Sequence, residues 1–154
     1  MKKIITIDGP AGSGKEKIAK YISKKYNLYH IDSGIFYRKL AYEIEKQNIK
    51  LFEIKKIKKL LKNTDKLSLR KYAILRQEGI GVIASEIAKY QFVREFVNFQ
   101  QRLVTRLPFD KEGFVIDGRD IGSVVFKRAK LKLYVDVDSN IRAKRRYKQL
   151  IDNG

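Results

Sequence analysis

Gly9-Pro10-Ala11-Gly12-Ser13-Gly14-Lys15 follows the pattern G-x-x-x-x-G-K, and the chemistry of that pattern is phosphate binding. Glycines let backbone N–H groups close around phosphate oxygens. The start of a following helix favours an anion, and the lysine reaches the β- and γ-phosphates. The pattern alone is loose, but its setting narrows it: β-branched Ile4-Ile5-Thr6-Ile7 precede it, and Ile18, Ala19 and Ile22 follow at helical spacing. In the usual motif the next residue is Ser or Thr, whose hydroxyl helps to hold Mg²⁺; here Glu16 and Lys17 follow. A carboxylate beside a triphosphate repels it, so Glu16 is expected to turn outward, where it complements the positive helix start.

Three further clusters carry residues of the right kind to hold a second ligand. Asp32-Ser33-Gly34 leads to Tyr37-Arg38, Arg76 precedes a segment with Ser85 and Arg94, and Asp117-Gly118-Arg119-Asp120-Ile121-Gly122 follows an apolar run. Arg38 and Arg119 suit a bidentate grip on a phosphate, for which lysine is a poor substitute. Of the 11 arginines these four, Arg38, Arg76, Arg94 and Arg119, sit in such contexts, whereas lysine fills the surfaces. His30 is the single histidine and there is no cysteine, which excludes a thiolate zinc site, a cysteine nucleophile and a histidine metal cluster. His30 is expected to be a structural residue of a strand, with no Ser33–His30 nucleophilic pair.

The elements that must position these residues alternate in type. Ile4–Ile7 reads as a strand buried on both faces, and Tyr29–Asp32, Phe114–Asp117 and Leu131–Val137 read as further short strands, ended by turn or acidic residues. Helical spacing follows the phosphate loop, runs from Phe36 to about Gln47, covers 50–71, extends over 81–103 with a break near Tyr90-Gln91, and returns at Ile141–Leu150. Strands alternating with helices predict a parallel sheet in an α/β layer fold. In such a sheet the loops at the carboxyl ends of the strands line one crevice beside the phosphate loop.

Composition bounds what this fold serves. The 154 residues suffice for one sizeable core, and 44% apolar content is too high for a disordered polycation. The longest stretch without Asp, Glu, Lys or Arg is Gly79–Ser85, too short to span a bilayer. A formal charge of +18 predicts attraction to phosphates. Yet 24 of the 35 basic residues are lysines beside 19 isoleucines, the bias that an AT-rich genome produces without any nucleic-acid function. Over 50–71 the nine basic residues form one solvated helix face, with aromatic residues too sparse for a base-stacking platform. A soluble, cytoplasmic, monomeric protein without a specific nucleic-acid or membrane partner is expected.

Taken together, the motifs resemble the bacterial cytidylate (CMP) kinases. The matching pieces are Ile7-Asp8-Gly9-Pro10-Ala11-Gly12-Ser13-Gly14-Lys15, Ile31-Asp32-Ser33-Gly34 through Tyr37-Arg38, Ala84-Ser85, Val93-Arg94-Glu95, Gln101-Arg102, and Ile116-Asp117-Gly118-Arg119-Asp120-Ile121-Gly122-Ser123-Val124-Val125-Phe126. The last is far more specific than the phosphate loop. The resemblance implies a P-loop nucleoside monophosphate kinase fold, with a parallel sheet in the order 2-3-1-4 flanked by helices and lacking its last edge strand. It implies one domain, with 1–37 and 112–154 as core and about 38–111 as a helical CMP-binding region. It also implies phosphoryl transfer from ATP, with Mg²⁺, to CMP or dCMP. Lys15, Arg38 and Arg119 would be catalytic and Gly9–Lys17 would hold ATP. Ser33, Tyr37, Arg38, Arg76, Ser85, Arg94, Asp117, Arg119 and Asp120 would hold the substrate, with Ser33 near the sugar and Ser85, Arg94 and Asp120 reading cytosine. No residue is assigned as a protein ligand to a resident metal. The run Arg142–Arg146 matches the helix that leads into the family's lid, and the chain stops where that lid would begin, so weak nucleotide binding and poor transfer are expected of it. The rival from another class is a catalytically impaired nucleotide- or RNA-binding module, favoured by Glu16 and the +18 charge.

Overall fold

The computed structural model describes residues 3–65, 67, 73–108 and 110–152. Two compact units emerge, 1–33 with 105–154, and 34–104.

The first unit is built on four parallel strands, β1 (Lys3–Asp8), β2 (Leu28–Asp32), β3 (Gly113–Gly118) and β4 (Leu131–Tyr134), in the order β2-β3-β1-β4 that the family resemblance implies. Helix α1 (Lys15–Lys25) packs on β2 and β3. Its Ala19 joins Ile7, Leu28 and Val115 in a core, with Ile5, Ile22, Leu133 and Val135 packed against it. Those strand residues share one face because side chains alternate along each strand. Burying about 100 Å² of each larger side chain is worth roughly 2.5 kcal/mol, which is why this apolar face locks the register. All six residues of β3 are buried, as an inner strand requires. β4 is shorter than the 131–137 run suggests: its ladder ends at the Asp8–Tyr134 pairing. The chain then turns, with Asp138 Oδ1 accepting from Asn140 N at 2.8 Å to start α6 (Ser139–Asp152). Such a carboxylate satisfies an otherwise orphaned helix-start donor.

The second unit is helical. Gly34 opens α2 (Gly34–Lys46), one residue after the end of β2. There follow α3 (Ile54–Lys62), a 3₁₀ turn (Ala73–Arg76), α4 (Glu78–Ile87) and α5 (Gln91–Val104), with the interruption expected near Tyr90 lying between the last two. α2 packs on α4, α5 and the 3₁₀ turn, burying Phe36, Leu40, Ile44, Leu75 and Ile80. α3 covers less than the 50–71 pattern: Thr64 Oγ1 bonds back to the Leu60 carbonyl at 2.8 Å. The buried Gln100 then accepts from Leu67 N and donates to Asp65 O, both at 3.0 Å. That side chain satisfies backbone groups a helix would have paired internally. Residues 66 and 68–71 of the predicted helix lie outside the described residues.

Candidate functional site

The phosphate loop leaves β1 at Asp8 and enters α1 at Lys15. Two glycines are required there by geometry. A Cβ at Gly9 would overlap the Val135 carbonyl oxygen, and Gly12 has φ +74° with the Arg142 carbonyl 3.0 Å from where a Cβ would lie. The loop is braced from α6, whose Arg145 Nη1 donates to the Gly12 and Ser13 carbonyls at 3.2 Å each. The Ser13 hydroxyl is buried with no hydrogen-bond partner among the described residues, unusual for a buried polar group and suited to a loop that receives an anion. Pro10 presents its carbonyl to Lys15 Nζ at 3.1 Å, while Ala11 is exposed. Gly14 occupies the cap position of α1 in a left-handed conformation. Lys17 is exposed, its N–H bonded to the Gly14 carbonyl at 3.0 Å.

Lys15 is partly buried, and its ammonium is pushed below the ordinary lysine range, first by burial. Asp117 is the strongest charge opposing that shift, Arg119 adds to it, and Asp32 and Glu16 oppose it. Glu16 is exposed and pairs with Lys20 at 2.6 Å. The outward orientation read from the sequence is therefore what the chain adopts. An exposed i,i+4 pair contributes only about 0.3–0.5 kcal/mol.

The opposite face of the sheet carries the other bracing residue. Asp8 is buried, and its two carboxylate oxygens accept from Ile121 N and Gly122 N, each at 2.8 Å. Those N–H groups open a π-helical turn (Ile121–Val125), a rare conformation concentrated at functional sites. Gly122 fits because a Cβ there would meet Thr6 Oγ1. Arg119, exposed, and Asp120, half-buried, are thus held between β3 and a turn anchored to the residue that begins the phosphate loop. Ser33 is buried at the end of β2, its N–H bonded to the Asp117 carbonyl at 3.0 Å. Asp117 is buried too, and its Oδ1 lies 2.6 Å from His30 Nε2.

The helical unit gathers the remaining residues. Arg38 Nη1 donates to the Leu75 carbonyl at 2.7 Å, and its guanidinium lies against Gly81. Ser85 Oγ donates to the Gly81 carbonyl at 3.0 Å. Arg38, Ser85 and the turn ending in Arg76 therefore meet around Gly81. Tyr37 and Arg94 are half-buried on α2 and α5, and Arg76 is exposed. The contributions of Asp8, of Arg145 and of the His30–Asp117 pair were not assigned from sequence. Asp8 left a signal as the acidic residue joining strand to loop, and Arg145 as a member of the basic run 142–146.

A glycine loop ending in lysine between the central strand and first helix of a 2-3-1-4 parallel sheet defines a P-loop kinase fold. The family model for cytidylate kinase matches residues 5–154. The chain is 37% identical to the cytidylate kinase of Fusobacterium nucleatum (97% of this chain, 71% of that one). It is 38% identical to that of Caldicellulosiruptor saccharolyticus (100% and 73%) and 40% identical to that of Coxiella burnetii (98% and 68%). The chain belongs to the cytidylate kinase family.

Proposed function

We propose that this chain transfers the γ-phosphoryl group of ATP to CMP or dCMP, giving ADP and CDP or dCDP. The observation that carries this reading is Asp8, which ties the phosphate loop to the Asp117–Gly122 segment through the Ile121 and Gly122 N–H groups. ATP phosphates would sit on Gly9–Lys17, and the buried Ser13 hydroxyl supports that assignment. In the reaction an oxygen of the CMP phosphate attacks the γ-phosphorus. The bond to the bridging oxygen breaks, and its electron pair leaves with ADP. Such transfer needs positioning and charge neutralisation rather than a covalent nucleophile, and Lys15, Arg38 and Arg119 supply the positive charge. Mg²⁺ enters with ATP as part of the substrate. With Glu16 paired to Lys20, that position would offer the ion no hydroxyl, and the ion would supply charge neutralisation to the phosphates it arrives with.

Ser33 would bind the sugar. Tyr37, Arg76 and Asp117 complete the substrate set, with Ser85, Arg94 and Asp120 reading cytosine. An amino donor beside two acceptors is matched by a carboxylate, a hydroxyl and a guanidinium, and a different base leaves such groups unpaired. Residues 1–37 and 112–154 act as the nucleotide core and 38–111 as the CMP-binding region of a monomer working among cytoplasmic nucleotides. Among the described residues no helix is long and apolar enough to cross a membrane.

A coupled assay of ADP formation tests the proposal: the rate is expected to depend on CMP and to be far lower with UMP or AMP. ADP formation indifferent to CMP overturns it. Glu16 in place of a metal-binding hydroxyl favours a second reading, a nucleotide-binding module without transfer, which the same assay separates when CMP binds calorimetrically but no ADP forms.

A further inference from the structure

His30 stands two residues before the end of β2, and parallel pairing sets it beside Val115 while Asp32 is set beside Asp117. Alternation along the strands therefore puts His30, Asp32 and Asp117 on the face that α1 covers. Two carboxylates lie in register there, an arrangement that like-charge repulsion disfavours. The imidazole reaches diagonally across, with Nε2 at 2.6 Å from Asp117 Oδ1 and side chains only 11% and 5% exposed. A ring nitrogen that close to a buried carboxylate carries the hydrogen, so Nε2–H donates. From the chain behind, Ser33 N–H holds the Asp117 backbone carbonyl at 3.0 Å. The main chain and the side chain of Asp117 are thus fixed by separate donors, both from the β2 end.

We propose that His30 is a positioning residue for phosphoryl transfer, fixing the Asp117 carboxylate at the carboxyl end of the sheet beside the phosphate loop. Asp117 is in turn the strongest negative charge acting on the Lys15 ammonium. A carboxylate held in one rotamer gives Lys15 a fixed counter-charge, and phosphoryl transfer depends on where that ammonium sits relative to the β/γ-phosphates. Without the imidazole donor, Asp117 is free to turn onto Lys15 and compete with phosphate for it. The inference rests on the transfer reaction proposed above.

The test compares the unaltered chain with His30→Gln, which keeps an N–H donor at about the same reach, and His30→Leu, which removes it. His30→Leu is expected to lower kcat for CMP-dependent ADP formation about tenfold, the scale of one hydrogen bond to a charged group. His30→Gln is expected to recover all but about threefold of that loss, although both variants alter the same buried position. A Leu variant with unchanged kcat, or a Gln variant no better than Leu, overturns the proposal. If His30→Leu does not fold, His30→Asn, whose amide is too short to reach Asp117, takes its place. If the unaltered chain makes no CDP, the transfer reading has failed. The positioning role is then read from calorimetric MgATP affinity, where the same rank order supports it and equal affinities overturn it.

Discussion

Asp8 offers the sharpest quantitative test of how the site is braced. Its carboxylate is 8% exposed by residue and accepts two buried N–H groups at 2.8 Å, from Ile121 and Gly122. A hydrogen bond to a charged group contributes about 1.5–3 kcal/mol, and a buried donor left unpaired costs about 1–3 kcal/mol. Asp8→Ala orphans both donors, so the loss should be about 3 kcal/mol. Asp8→Asn keeps one acceptor and turns an amide N–H toward the other donor, for a loss of about 2 kcal/mol. At about 2–4 °C per kcal/mol for a chain of this size, Asp8→Ala should melt about 6–12 °C lower. Urea denaturation followed by circular dichroism reads the same quantity as a shift in midpoint at constant slope. Asp136→Ala is the control, because among the described residues that exposed carboxylate accepts only from the adjacent Val137 N–H and the change should alter stability by less than about 0.5 kcal/mol. A shift under about 1 kcal/mol for Asp8→Ala, or one no larger than the control, would refute the claim that this carboxylate links phosphate loop to π turn.

Lys15 supplies a pH dependence. Its folded-state value lies below the ordinary lysine value of 10.5, so between the two the unfolded chain holds more protons and stability rises with pH across that window. Nucleotide affinity runs the other way: calorimetric MgATP binding should begin to weaken below pH 10.5, as the ammonium is lost, and Lys15→Met should abolish the dependence. Gly12→Ala forces a side chain into φ +74° against the Arg142 backbone. It should cost about 1–3 kcal/mol in a thermal melt and weaken MgATP binding. Gln100→Leu removes a buried amide that serves Asp65 O and Leu67 N. It should destabilise by about 2 kcal/mol in urea while leaving MgATP affinity unchanged.

The phosphate loop, the presence of the four strands and the break between α4 and α5 were legible because each rests on a local signal: glycine spacing, apolar runs, helical period. The strand order came from the family resemblance instead. What escaped depends on contacts between distant residues. His30 and Asp117 are 87 positions apart, and nothing in the residues around His30 marks it as a donor to the third strand. The end of α3 is decided partly by Gln100, more than thirty residues downstream, whose amide makes an extended backbone at Asp65 and Leu67 better satisfied than a helical one. β4 was overestimated for a related reason. Val135 and Val137 continue the apolar alternation, but pairing stops at Tyr134, and Val137 turns its carbonyl to Arg142 Nε at 2.9 Å.

The residues behind the net charge of +18 are not equivalent, for a physical reason. Lysine ion pairs such as Lys3–Glu112, Lys20–Glu16 and Lys89–Glu86 lie at the solvent-facing surface, and each contributes little in water. Three arginines bond backbone carbonyls, Arg38 that of Leu75, Arg142 that of Val137 and Arg145 those of Gly12 and Ser13, as Lys15 bonds that of Pro10 through a single ammonium contact. A planar fork can spend one N–H on the scaffold and keep its charge and other donors in a fixed direction, which a flexible ammonium cannot. Arg145→Lys should therefore weaken the brace on the phosphate loop although it preserves the charge. In calorimetry, its MgATP affinity should fall nearer to that of Arg145→Ala than to that of the unaltered chain. An Arg145→Lys protein binding as tightly as the original would mean that charge alone, and not the fork on the Gly12 and Ser13 carbonyls, is what the loop requires.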